Sequence, residues 1–138
     1  MKLILEDQEK DIFIFEATKE ELEVCFKVVH IALERLGEEF NDRTQSSDEE
    51  PYETGLVLEK KLKTLLEQHK DLSSQGIILN ITIRSFEASI IFNAFNEVCN
   101  GLHFGVAHIP TLEQLSGYSR EELLEFFDSY EKIYFNRP

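Results

Sequence analysis

The sequence predicts an α+β fold: a small antiparallel sheet of three to four strands with about four helices packed on it. Three observations predict it. Short runs rich in β-branched and aromatic residues stand at residues 3–5, 12–15 and 77–83. Between and after them lie long stretches whose apolar residues recur at helical spacing. The chain has 138 residues, 42% of them hydrophobic, with 11 Phe and no Trp. That length and content suit one domain with one core and no covalent staple.

The elements follow in order. Leu3-Ile4-Leu5 and Ile12-Phe13-Ile14-Phe15 read as two strands, and the wholly polar stretch 6–11 between them reads as a hairpin loop. Thr18 stands three residues before Glu21, the spacing of a capping box. Leu22, Cys25, Phe26, Val29, Leu33 and Leu36 then recur at helical spacing, and Gly37 is a stop, so a helix is expected over about 19–36. Residues 38–54 break the pattern and include Ser46-Ser47-Asp48-Glu49-Glu50-Pro51, which reads as a solvated, mobile loop. A second helix is expected over about 56–70, with Leu58, Leu62, Leu65 and Leu66 on its apolar side.

Residues 71–76 read as a turn, and 77–83 give the strongest strand signal in the chain. Ser85 reads as the cap of a long helix over about 86–100, with Phe86, Ile90, Ile91, Ala94, Phe95 and Val98 as its apolar stripe and Gly101 as its end. Residues 103–109 are irregular or a short strand, and 111–116 make one helical turn. Ser119 with Glu122 forms another capping box ahead of a last helix carrying Leu123, Leu124, Phe127 and Tyr130. Ile133-Tyr134-Phe135 reads as an apolar tail that pairs or docks.

Residues 1–138 therefore read as a single domain, within which two diverged repeats are conceivable, 11–70 and 77–134, related by a pseudo-twofold. Each runs strand, capped long helix, connection, second helix. Gly55 and Gly117 precede the second helix of each half, and Leu62 and Leu65 stand at the offsets of Leu124 and Phe127.

Composition narrows function. The net charge is -13. Such a chain repels phosphate backbones and anionic lipid, so nucleic acid and membrane surfaces are disfavoured as partners. Residues 1–50 hold 15 acids against 6 bases, and residues 51–138 hold 12 against 8. A charge-dense acidic first third would steer toward a basic protein partner. The short apolar run at residues 3–5 ends at once in acid, unlike a signal peptide, and no apolar stretch approaches 18 residues. A cytoplasmic protein is expected, with Cys25 and Cys99 as buried thiols.

No catalytic constellation stands out, so an enzyme is not expected. There is no Gly-x-Ser-x-Gly elbow, no glycine-rich phosphate loop and no Cys in a basic setting. Neither Cys has a second within four residues, and His103 and His108 lack the spacing of a helical metal site, so no metal and no cofactor are expected.

Two stretches are candidates for partner binding. The first comprises Glu38, Glu39, Asp42, Asp48, Glu49 and Glu50, with Tyr52 as an aromatic anchor. The second is Asn93, Asn96, Glu97 and Asn100, spaced i, i+3, i+4, i+7 and therefore on one helical face. An amide-rich face is unusual where Lys and Glu normally dominate. It lies in a stretch of 35 residues, between Arg84 and Arg120, that carries only Glu87, Glu97 and Glu113 as charges. Charge depletion of this kind marks a core or the centre of an interface.

The string Asn96-Glu97-Val98-Cys99-Asn100-Gly101, followed by Leu115-Ser116-Gly117-Tyr118-Ser119-Arg120-Glu121-Glu122, resembles small uncharacterised bacterial proteins. Those carry the same helix end and then a glycine turn opening a Ser-Arg-Glu-Glu helix. The resemblance covers roughly residues 86–127 and departs in the longer connection 103–113. It implies no chemistry. In size, acidity and lack of a catalytic signature the chain is also similar, by type, to bacterial immunity proteins, which neutralise a toxin by binding it. The expected function is a non-catalytic acidic binding domain acting on a basic protein, in concrete form an immunity-type inhibitor of a toxin. The alternative is a homodimeric structural or regulatory scaffold.

Overall fold

The computed structural model describes residues 1–44, 49–71 and 77–135. Strands β1 (Lys2–Asp7), β2 (Ile12–Thr18) and β3 (Ile78–Ile83) form one antiparallel sheet in the order β1-β2-β3. Phe15 stands opposite Leu3 on one side and Ile81 on the other. Alternation sorts the side chains: Phe13, Phe15, Ala17, Leu79, Ile81 and Ile83 are buried on one face. On the opposite face Ile12 and Ile14 are half-buried and Ile78 is exposed. The sheet therefore has one face in the core and one toward solvent.

Helix α1 (Lys19–Leu36) is the centre of the molecule. It packs on β2, on α3 (Pro51–Gln68) and on α4 (Ser85–Asn96). Nine of its side chains are buried, so the single apolar stripe that the spacing suggests widens to most of the helix circumference. Its start is fixed by a complete capping box. The Glu21 amide donates to Thr18 Oγ1 at 3.1 Å, and the Thr18 amide donates to Glu21 Oε1 at 2.8 Å. Thr18→Ala is expected to cost about 1 kcal/mol, read as a lower urea midpoint at unchanged slope; no shift in midpoint would show that the cap is idle. At the other end Gly37 sits at φ 54°, a conformation that side chains resist.

Residues 39–43 and 51–54, within the stretch 38–54, are helical rather than the loop that its polarity suggests. Glu39–Arg43 forms α2, anchored by the fully buried Phe40. Helix α3 begins at Pro51, five residues before its expected start, with proline at the position where its missing N–H costs nothing. The Tyr52 amide in that first turn donates to Asn41 Oδ1 at 2.8 Å, which stitches α2 to α3. Gly55 therefore lies inside α3 rather than ahead of it. A Cβ there would come within 2.9 Å of the Leu33 side chain, so this glycine lets α3 approach α1 closely. Asp48, and residues 72–76 of the expected turn, lie outside the described residues.

After β3, the cap of α4 is Arg84 rather than Ser85. The Glu87 carboxylate accepts from the Arg84 amide at 2.8 Å, and Ser85 Oγ reaches Ile12 O instead. Helix α4 ends in a π-helical turn, Glu97–Gly101, closed by the Leu102 amide donating to Glu97 O at 2.7 Å. Residues 103–109 are irregular. Helix α6 (Arg120–Tyr134) opens with the capping box expected of Ser119 and Glu122, and helix α5 (Leu112–Ser116) opens with one not anticipated from the sequence, Thr111 with Gln114. Helix α6 runs through Ile133 and Tyr134, so most of the expected apolar tail is helical. From β2 onward the chain runs strand, long helix, short helix, long helix, and from β3 onward strand, helix with its π turn, short helix, long helix.

The core is strongly aromatic. Tyr130 is fully buried, edge-on to Phe15 and near Phe95, and its hydroxyl donates to Ala88 O at 2.7 Å. Phe92 stacks on Tyr134 with centroids 5.0 Å apart and meets Phe135 edge-on. Glu87, at the base of α4, is also fully buried and holds Lys61 Nζ of α3 at 2.6 Å. Among the described residues no helix is long and apolar enough to cross a membrane.

Candidate functional site

The α2 portion of the acidic stretch and the amide-rich stretch, far apart in sequence, meet in space. Arg43 of α2 donates to Glu97 Oε2, in the π turn, at 2.7 Å. This pair holds the carboxylates of α2 beside the amide-rich end of α4. Glu97 raises the already high pKa of Arg43 by hydrogen bond and charge, so the cation persists at any working pH. The Glu97 side chain folds over Gly101, where a Cβ would lie 2.7 Å from its Oε2. A glycine at that point is therefore part of the geometry that presents Glu97 to Arg43.

Around this pair the other candidates fall into place. Glu38 and Asp42 are exposed on α2, and Glu39 faces Arg43 at 3.6 Å. Asn93 donates to Ser89 O within its own helix at 2.8 Å. Asn100 donates to Asn96 Oδ1 at 3.1 Å and accepts from Arg120 Nη2 at 3.0 Å, while Arg120 Nε donates to Cys99 O at 2.6 Å. The amides are thus partly satisfied by one another and by Arg120, which ties the start of α6 to the π turn. The remaining donors and acceptors of Asn96 and Asn100 face solvent.

Beside the face lies a cavity of about 460 Å³, lined by Arg43, Ser89, Phe92, Asn93, Tyr134 and Phe135. Its lining is half aromatic and half polar. Across Tyr134 and Phe135 it adjoins a second cavity of about 450 Å³ that reaches Glu6 and Phe86. Sequence reasoning missed Phe92, Tyr134 and Phe135 as surface-lining groups. For Phe92 the signal was present, since it lies outside the apolar stripe of α4; Tyr134 continues the α6 stripe of Phe127 and Tyr130, and Phe135 follows the helix, so neither stood out.

Glu49, Glu50 and Tyr52 stand apart from this face. Glu49 grips Arg84, which also binds Asp11 at 2.7 Å. Glu50 is the exposed residue preceding α3. Tyr52 is half-buried against the core and lines a small cavity of about 160 Å³ between α1 and α3 with His30, Glu34 and Glu59. His30 sits between those two carboxylates.

No family model, no curated protein and no solved structure matches this chain.

The groups that could do chemistry elsewhere are poorly placed for it. Burial pushes the Cys25 thiol up to about 12 and the Cys99 thiol up to about 11, so neither forms a thiolate near neutral pH. Both are free and buried. His103 and His108 are exposed in the irregular segment. Among the described residues no group of three His, Cys, Asp or Glu side chains is placed to hold a metal ion.

Proposed function

We propose that the chain is a non-catalytic binding domain that acts stoichiometrically on a basic protein, in the manner of a bacterial immunity protein neutralising a toxin. The observation that carries this reading is the Arg43–Glu97 pair, which unites the carboxylates of α2 with the amide-rich end of α4 beside a cavity lined by Phe92, Tyr134 and Phe135. Aromatic residues at the centre and polar residues at the rim are the usual anatomy of a protein interface. Glu38, Glu39 and Asp42, backed by a net charge of -13, would speed encounter with a cationic surface. Phe92, Tyr134 and Phe135 would set the lifetime of the complex once formed.

The test begins with capture from the host lysate at low salt and elution in a salt gradient, and turns on the purified partner. A basic protein whose toxicity the chain abolishes is expected. Charge reversal of the α2 acids (Glu38→Lys, Glu39→Lys, Asp42→Lys) should lower the association rate about tenfold or more and flatten its salt dependence. Phe135→Ala should leave association nearly unchanged and speed dissociation. Recovery of the chain alone as a salt-insensitive dimer, or an association rate indifferent to the α2 charges, overturns the reading.

A further inference from the structure

The two edges of the sheet are built differently. β1 carries a bulge between Leu3 and Leu5 and the charged residues Lys2, Glu6 and Asp7, the devices that keep an edge from pairing with another chain. β3 has none of them. Its sequence, Ile-Leu-Asn-Ile-Thr-Ile, contains no charge and no proline, and its register with β2 is unbroken over six pairs. Among the described residues no strand pairs with its other edge. An unblunted edge offers a row of backbone donors and acceptors to an incoming strand.

Beside that edge lies a groove of about 430 Å³ between α3 and β3, lined by Val57, Lys60, Lys61, Thr64, Leu65, Gln68 and Thr82. Val57 in its lining is 58% exposed, as is Ile78 at the far end of β3. The groove also has a charge unlike the rest of the molecule. In a chain with 27 acids, Lys60, Lys61 and Lys63 fall within four residues on α3. Lys61 is held by buried Glu87. Lys60 is exposed and makes no ion pair among the described residues, so its ammonium is available to an incoming carboxylate.

We propose that this edge and groove form a second binding surface, which receives an extended acidic segment of another protein as a fourth strand beside β3. Backbone hydrogen bonds to β3 give the affinity, alternate apolar side chains cover Val57 and Leu65, and carboxylates meet Lys60. The same charges disfavour a second copy of this chain. A symmetric pairing of β3 edges would set lysine-bearing grooves against each other and join two protomers of charge -13. The surface is distinct from the α2–α4 face and does not depend on it.

The experiment uses the full chain, isotope-labelled, and two capped hexapeptides, Ac-Val-Glu-Val-Asp-Val-Thr-NH2 and its Lys-for-acid counterpart. The acidic peptide is expected to shift the amide resonances of β3 and of α3 near Lys60, and to slow hydrogen exchange along β3. The lysine peptide should not bind there, although the net charge of the protein favours it. Lys60→Glu, an exposed substitution, should weaken the acidic peptide about tenfold or more. Resonance shifts confined to other surfaces, equal binding of the two peptides at β3, or an indifferent Lys60→Glu overturns the proposal. So does protection of the β3 amides in the unliganded protein with a dimeric mass in sedimentation, since a second copy then occupies the edge.

Discussion

Lys61→Met is expected to destabilise the fold by about 3–5 kcal/mol, far more than the loss of an exposed lysine normally costs. The reason is its partner. Glu87 is fully buried, and one carboxylate oxygen takes both the Lys61 ammonium at 2.6 Å and the Arg84 amide at 2.8 Å, while the other oxygen has no hydrogen-bond partner among the described residues. Removing the cation leaves a buried, half-satisfied charge. Removing the acid is gentler, because the Lys61 side chain is 41% exposed and can turn its ammonium to water. Glu87→Gln should therefore cost only about 1–2 kcal/mol. Combining Lys61→Met with Glu87→Leu should recover much of the loss, because no lone charge then remains in the core. Urea unfolding of the four proteins measures this. Equal effects for the two single changes, or a larger one for Glu87→Gln, would mean that the pair is solvated rather than buried.

The second large effect lies at Tyr130. Truncation to alanine is expected to cost about 3–5 kcal/mol, since it empties a fully buried ring site in contact with Phe15 and Phe95. Tyr130→Phe keeps the ring and removes the hydroxyl that donates to Ala88 O, at a cost of about 1 kcal/mol. The difference separates packing from the hydrogen bond. Thermal unfolding should rank wild type above Tyr130→Phe and both well above Tyr130→Ala. If the Phe variant fell as far as the Ala variant, the hydroxyl would be the dominant contribution and the aromatic cluster a minor one.

The sequence was most readable where local signals agreed. Helix α1 runs over residues 19–36 as expected, because a capping box, an apolar period and a terminal glycine all point to the same ends. The α+β class and the three strands follow from equally local patterns. Legibility failed where one residue decided the outcome. Phe40 is a lone apolar side chain in a polar run, and its burial turns that run into α2. Pro51 looked like part of a loop and instead opens α3. The candidate face was half legible. Spacing placed Asn93, Asn96, Glu97 and Asn100 together, but nothing local shows that Arg43, 54 residues earlier, closes on Glu97. Likewise Arg84 claims Glu49 across 35 residues and removes it from the acidic surface that composition suggested.

The wide turn that closes α4 gives the chain a fixed residue count at one point. A regular helix rotates about 100° per residue, and a π turn holds one residue more than an α turn. Everything after Leu102 is therefore delivered a residue late, and the link from Arg120 back to Cys99 is set for that phase. Deleting one residue from 97–101 would close the turn as a regular α turn and disturb the wide turn in which Cys99 O and Asn100 Oδ1 accept from Arg120. Phe104 of the irregular segment is tied down beneath Arg35, whereas residues 106–108 are exposed and impose no such phase. Length variation is tolerable there and costly a few residues upstream.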